Sequence, residues 1–309
     1  MSGLVTEARP NGPKAAFIGL GAIGLPMARH TASGTTLAVW NRTRSKAALF
    51  ATETGARDAS SPADAVIGAE LLLTCMPTSA EVEQVLFGHD GAAQNMQPGA
   101  IVIDCTSGDP ATSRRIAARL ASAGIEFIDA PVSGGVAGAE TAKLTVMVGG
   151  DAQTLGRVRW LLELFASRIV HCGAVGSGDA VKAVNNALLA VHLWSTAEGL
   201  ATLARLGVDP AVALEVINAS SGKSNASMNL FPERVLNRSF PRTFRLALLD
   251  KDVRIAAEIA RELGVPAELI ELTARLIANA HAELGEDADH VEAVKLVEVQ
   301  AGVVIESRT

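Results

Sequence analysis

Six residues near the N-terminus constrain this chain more than any other stretch. Ala15-Ala16-Phe17-Ile18 is a short apolar run suited to a buried parallel strand, and Gly19-Leu20-Gly21-Ala22-Ile23-Gly24 follows it without a gap. Leu25 to Thr31 then reads as helix. A G-x-G-x-x-G turn set between strand and helix lets the backbone approach a pyrophosphate closely and aims the free N–H groups of the helix start at it. The turn therefore points to a parallel, doubly wound α/β sheet. Gly19, Leu20, Gly21, Ala22, Ile23 and Gly24 become candidate contacts of a dinucleotide.

The second strand, Thr36 to Trp40, should end at the residue that reads the ribose. An acidic residue there would hold the 2′-hydroxyl of NAD. This chain has Asn41-Arg42-Thr43 instead. A neutral amide removes the repulsion of a 2′-phosphate, Arg42 can pair with that phosphate in two hydrogen bonds, and Thr43 can donate to it. Arg44 and Lys46 add positive potential. The pattern favours NADP, with NAD still possible. The alternative is that Arg42 is only a solvated charge at a strand end.

Strands and helices continue to alternate. Glu70–Met76 and Ala100–Asp104 read as strands whose ends face the same crevice, which makes Met76, Pro77 and Ser107 candidate neighbours of the nicotinamide half. Ser79 and Asp109 are candidate helix caps, the second followed by Pro110 at the first helical position. The strand Glu126–Asp129 leads to Pro131-Val132-Ser133-Gly134-Gly135. A hydroxyl followed by successive backbone N–H groups makes a small anion nest suited to a carboxylate; the competing reading is a flexible glycine loop. Lys143–Gly150 reads as a strand, Asp151–Phe165 as a helix and Arg168–His171 as a short strand, with His171 structural.

From Gly173 the pattern changes. Glycines at 173, 176 and 178 form a turn, and a helical pattern then runs to about Arg205, with Ser177 or Asp179 placed to cap it. Lys182 lies one turn in, and Asn185 and Asn186 follow at i+3 and i+4 on the same face. Val181, Val184, Leu188 and Leu189 surround them. An amine held among apolar groups is tuned toward proton exchange near neutral pH; the competing reading is a lysine that snorkels from a surface helix. The remainder is helical, over about 210–218, 230–236, 245–263, 266–284 and 289–299, with a polar loop at Ser220–Asn225 and a second candidate cation at Lys251 beside Asp252.

Composition excludes several classes of function. The net charge of -6 and the lack of a basic block argue against a nucleic-acid partner. No apolar run reaches membrane-spanning length without polar breaks, so no membrane partner is expected. Cys75, Cys105 and Cys172 fit no metal spacing and are expected to be reduced, as in a cytoplasmic protein. The chain has no tyrosine, which rules out a tyrosine proton donor.

Taken together, Gly19–Met27, Asp129–Gly135, Gly176–Asn186 and Lys251-Asp252 resemble the β-hydroxyacid dehydrogenase family, in that family's order and over about residues 15–300. The resemblance implies a Rossmann-type domain, 14–175, joined by a long helix to an all-helical domain, 176–309, after a loose tail, 1–13. It places the active site in a cleft between the domains. It implies Lys182 as general acid/base, Ser133, Gly134 and Gly135 on a substrate carboxylate, Asn186 with Asn185 on the substrate hydroxyl or the lysine, and Lys251 near nicotinamide and substrate. The implied substrate is a short carboxylate with a 3-hydroxyl or an aldehyde. Apolar helices in the second domain suggest a homodimer or homotetramer. Ala142 stands where the family often has glycine, a departure that bears on the local loop shape and not on the chemistry. Asn41-Arg42-Thr43 also resembles the imine reductases, but those usually lack the lysine. A non-catalytic cofactor-binding regulator is the remaining alternative.

Overall fold

The computed structural model describes residues 12–307, so the tail assigned to 1–13 falls outside it except for Gly12 and Pro13. The chain forms two compact units, one ending at Lys182 and the next beginning at Ala183. In the first unit the chain runs β1 (Lys14–Ile18), α1 (Gly24–Ala32), β2 (Thr36–Trp40), α2 (Arg44–Thr54), β3 (Arg57–Asp58), α3 (Pro62–Ala65), β4 (Leu71–Thr74) and α4 (Ser79–Phe87). It continues through β5 (Ile101–Asp104), α5 (Pro110–Ala121), β6 (Glu126–Asp129), β7 (Val132–Ser133), α6 (Gly135–Glu140), β8 (Leu144–Gly149), α7 (Ala152–Leu162) and β9 (Ala166–Gly173).

The strands form one sheet in the order β3-β2-β1-β4-β5-β6-β8-β7, with β9 paired to β8. The first six strands are mutually parallel. Their order reverses at β1, and a doubly wound sheet opens its ligand crevice at such a reversal, beyond the carboxyl ends of the strands. β8 runs antiparallel to β6 and β7, and β9 runs parallel to β8.

Burial on both faces explains the continuous apolar runs. Ala15 and Phe17 of β1 enter one core with Leu71, Leu73, Ile101 and Ile103. Their neighbours Ala16, Ile18, Leu72 and Val102 enter the core on the opposite face. Side chains alternate across a strand, so a strand covered by helices on both sides is apolar at successive positions and keeps polar residues for its end, as at Thr74 and Asp104.

Local signals hold where the cap is adjacent. Asp109 accepts from Thr112 N–H at 2.8 Å, with Pro110 opening α5 as expected. Ser79 does not cap α4. The extended residue before that helix is Thr78, which accepts from Glu81 N–H, and the Ser79 hydroxyl accepts from Asp109 N–H at 2.7 Å. The strand expected at 168–171 is longer, because β9 pairs along β8 from Ala166 to Gly173. His171 Nε2 lies 2.8 Å from the Gly150 carbonyl, a structural contact.

The second unit is helical: α8 (Ser177–Arg205) enters it from the first unit, and α9 (Pro210–Ala219), α10 (Leu246–Glu262), α11 (Glu268–Leu284) and α12 (Val294–Ala301) follow. By length and composition α8 could cross a membrane. However, Ala187, Ala190, Leu193, Ala197 and Leu200 are fully buried in the unit's core, and the helix carries Lys182, Asn185, Asn186 and Glu198, which suits a core helix. Trp194 is buried there too, its indole N–H donating to Glu198 at 2.9 Å. On α10, Leu246, Leu249, Val253 and Ala256 form the buried stripe at helical spacing.

The helix expected at 230–236 is a π-helix, Ala226–Val235, with Pro232 inside it. Proline lacks an N–H and its ring crowds the preceding turn; widening to i→i+5 gives the ring room, and the Ser227 carbonyl, which the missing N–H would serve, accepts from Asn218 Nδ2 at 2.9 Å instead. Leu236 N–H accordingly donates to the Phe231 carbonyl at 2.9 Å.

Ala142 has a left-handed φ of 54°, the backbone that glycine adopts freely, so this alanine keeps a glycine-like turn under strain. Replacing it should relieve that strain, partly offset by the greater freedom of glycine in the unfolded chain. Ala142→Gly is expected to raise the unfolding free energy by about 0.5–1 kcal/mol in urea titration. A lower midpoint would show that the turn is unstrained.

Candidate active site

The glycine turn fits a dinucleotide by its own sterics. Gly19 has a φ of 104°, and a Cβ there would strike the Cys75 carbonyl and press on Met76 Sδ. A Cβ at Gly24 would strike the Gly19 carbonyl. Those two positions admit no side chain because the turn packs against the end of β4 and against itself. At Gly21 nothing lies within 4 Å, so the open side of the turn is free for a pyrophosphate to approach.

Residues at the end of β2 hold that turn. Leu20 N–H donates to Asn41 Oδ1 at 2.9 Å, and Asn41 Nδ2 donates to the Thr43 carbonyl at 3.1 Å. Both ends of the Asn41 amide are thus engaged within the protein, which the sequence did not indicate. The Thr43 hydroxyl does not cap α2. Arg42 projects outward, its side chain 80% exposed, with Nη1 3.2 Å from Glu81 Oε1. Arg44 is committed elsewhere, to Asp58 at 3.1 Å and to the Ala59 carbonyl. At the neighbouring strand ends, Met76 N–H donates to Thr106 Oγ1 at 3.0 Å, and Pro77 and Ser107 follow in the same crevice-facing loops. Thr106, buried beside Ser107, has a positioning role that no sequence pattern signalled.

Ser133 ends β7 and is half-buried. Gly134 (φ 135°) and Gly135 (φ 63°) turn the chain into α6, and both are exposed, which leaves their backbone open to solvent.

The start of α8 is held differently from the expected self-capping. Asp179 does not cap its own helix: Gly108 N–H donates to its Oδ1 at 2.9 Å and the Ser113 hydroxyl to its Oδ2 at 2.6 Å. The cap comes from β6, where Asp129 accepts from Gly176 N–H at 2.6 Å and from Asp179 N–H at 3.0 Å. A carboxylate facing free amides at a helix start is favoured by the helix dipole as well as by the hydrogen bonds. Asp104 completes the buried group, accepting from the Thr74 hydroxyl at 2.8 Å and Thr106 N–H at 3.0 Å. Burial raises all three carboxyl groups above their ordinary range, Asp104 to about 6 and Asp179 well above it; the charges of Asp129 and Asp104 push Asp179 further.

Lys182 is 9% exposed, one turn along α8 from Asp179. Asn186, 3% exposed, stands one turn beyond it on the same face of the helix. In the second unit Asn186 Nδ2 donates to Asp252 Oδ2 at 2.6 Å, and Lys251 Nζ lies 2.7 Å from Asp252 Oδ1. Asn185 Nδ2 donates to Asn186 Oδ1 at 3.1 Å. Asn185, Asn186 and Lys251 are therefore one network, centred on Asp252. Its adjacency to Lys251 was visible in the sequence, but its bond to Asn186 was not. The three cysteines are free, and no cluster of metal-ligating side chains occurs among the described residues.

The chain matches two family profiles. The first, the NAD binding domain of 6-phosphogluconate dehydrogenase, covers residues 14–173. The second, the NAD-binding domain of NADP-dependent 3-hydroxyisobutyrate dehydrogenase, covers 176–297. A 3-hydroxyisobutyrate dehydrogenase of Pseudomonas aeruginosa is 35% identical over 283 residues, 89% of this chain and 93% of the relative. Among solved structures, the Mycobacterium tuberculosis 3-hydroxyisobutyrate dehydrogenase with L-serine superposes with a TM-score of 0.84 at 31% identity, covering 93% of this chain and 99% of that one. Psf3, solved with NADP+ and 2-OPP, gives a TM-score of 0.80 at 26% identity and covers 92% and 99%.

The raised Asp104 has a consequence for stability. A carboxyl whose folded pKa of about 6 exceeds the unfolded value near 3.8 makes the folded state bind the proton more tightly, so its contribution is lost as pH rises from about 4 to 6. Asp104→Asn keeps an oxygen for Thr74 and Thr106 and removes the ionisation. Relative to this variant, the native protein is expected to lose about 3 kcal/mol of stability across that window, measured by denaturant titration at pH 4, 5, 6 and 7. Parallel curves for the two proteins would contradict the assignment.

Proposed function

Because the chain belongs to the β-hydroxyacid dehydrogenase family of NAD(P)-dependent oxidoreductases, we propose that it interconverts a short 3-hydroxy acid and its carbonyl form, with NADP(H) as preferred cofactor and Lys182 as general acid and base. When bound, the nicotinamide supplies or accepts the hydride. The observation that carries the reading is the burial of Lys182, one turn before an amide fixed by Asp252. An amine kept out of bulk water and an oriented amide on one helix face form a proton donor paired with an orienting group.

Each residue has a separate task. In reduction Lys182 gives its proton to the carbonyl oxygen, and in oxidation it removes the proton from the hydroxyl. Ser133 and the N–H groups of Gly134 and Gly135 receive the substrate carboxylate, which fixes the position of the reacting carbon. Asn186 orients the hydroxyl, held by Asp252 from one side and Asn185 from the other. Lys251 adds a cation beside that network. Gly19–Gly24 receive the pyrophosphate, Met76, Pro77 and Ser107 line the nicotinamide half, and the outward-pointing Arg42 receives the 2′-phosphate. The substrate class is supported by the named relatives, one solved with L-serine, itself a short 3-hydroxy acid. Val181, Val184 and Leu188 recur on one face of α8 and remain exposed, which supports self-association as a homodimer or homotetramer.

Two variants test the reading. Lys182→Ala should lower turnover by about 10²- to 10⁴-fold and leave cofactor affinity within a few-fold of native; near-native turnover would remove Lys182 from the chemistry. Arg42→Ala should weaken NADPH far more than NADH in equilibrium titration, and equal losses would remove the 2′-phosphate from Arg42.

A further inference from the structure

Two cations and one carboxylate decide what can bind at the end of β2. Arg44 is spent on Asp58 and the Ala59 carbonyl. Arg42 is the guanidinium left to reach outward, yet it leans across to α4, where Glu81 Oε1 lies 3.2 Å from its Nη1. Glu81 is not a loose surface carboxylate. It sits in the first turn of α4, where the helix start favours negative charge. The Thr78 hydroxyl lies 3.3 Å from its Oε2 and also caps its backbone N–H, so the side chain is held in place and is only 28% exposed.

We propose that Glu81 is a cofactor-specificity residue: a fixed carboxylate that shares Arg42 with the 2′-phosphate and so keeps the preference for NADP over NAD shallow. The inference rests on the reading that Arg42 receives the 2′-phosphate. Glu81 occupies Nη1, so a phosphate that takes the Nη1/Nη2 edge of the guanidinium displaces Glu81, and one that takes the Nε/Nη2 edge still meets the negative field of that carboxylate. An adenosine ribose bearing a free 2′-hydroxyl does neither, and leaves the ion pair intact. Glu81 therefore weakens one cofactor selectively. An exposed pair contributes modestly, so the expected effect is a graded change in selectivity.

The test reads binding alone. Adenosine 2′,5′-bisphosphate and adenosine 5′-monophosphate differ only by the 2′-phosphate, and both are titrated calorimetrically into the native protein, Glu81→Gln and Arg42→Ala. The amide introduced by Glu81→Gln retains the length of the side chain and its reach to Thr78, so the fold of α4 is preserved. Glu81→Gln should tighten the bisphosphate by about two- to fivefold and leave the monophosphate unchanged. The gain should shrink at high salt, as expected for a charge effect at the surface. Equal changes for both ligands, or no change for the bisphosphate, would overturn the role of Glu81. The Arg42→Ala arm separates the two ideas. If it selectively weakens the bisphosphate while Glu81→Gln has no effect, the 2′-phosphate assignment stands and only the role of Glu81 fails. If Arg42→Ala affects both ligands alike, the assignment fails and takes the role of Glu81 with it.

Discussion

The carboxylate of Asp129 accepts the backbone N–H groups of Gly176 and Asp179, and the placement of the first turn of α8 in the first unit depends on that contact. The last residue of β6 thereby becomes the cap of a helix that begins only at Ser177, after three further strands and two helices have been laid down. Asp179 returns the connection by accepting from Gly108, in the loop after β5, and from Ser113 on α5. The first turn of α8 is therefore held to three separate pieces of the sheet and its helices. Lys182 stands on the next turn, so these contacts fix the backbone that carries it.

Burying acids in this way has a cost that the protein manages with hydrogen bonds. Asp129 accepts from backbone N–H groups, Asp179 and Asp104 each from an N–H and an O–H, and each is still pushed upward by burial. A carboxylate with two good donors can remain inside a fold, whereas one without them would neutralise or unfold its surroundings. The same logic governs Asp252 in the second unit. It is 2% exposed and engaged by an amide on one oxygen and an ammonium on the other. Both units thus use an interior carboxylate to fix their neighbours, the first turn of α8 in one and Asn186 with Lys251 in the other.

What the sequence disclosed and what it concealed divide along the range of each interaction. The strand, glycine turn and α1 were legible because every residue that defines them is adjacent, and the same holds for Asp109 and Pro110 at α5. β3 escaped notice because two residues carry no periodicity. At α8 local spacing offers Asp179 as a cap, while the carboxylate that accepts the first amides comes from a residue in another strand. The π-helix was read as an ordinary helix: the cue was Pro232, but its outcome, widening instead of breaking, depends on packing by Leu230, Phe231 and Val235. For the candidate site, residue types were legible at Lys182, Asn186 and Lys251; the network joining Asn186 to Lys251 was not, since Asp252 reaches Asn186 across 66 positions.

The absence of tyrosine leaves near-ultraviolet absorption and emission to three indoles, and the fold distributes them unevenly. Trp40 closes β2 immediately before Asn41 and Arg42, Trp160 lies on α7, and Trp194 is enclosed in the helical unit with its N–H on Glu198. Each fluorophore therefore has a distinct address: the strand that leads into Asn41 and Arg42, the flank of the sheet, and the interior of the second unit. The protein carries its own optical reporters for the two units, without phenol emission to blur them.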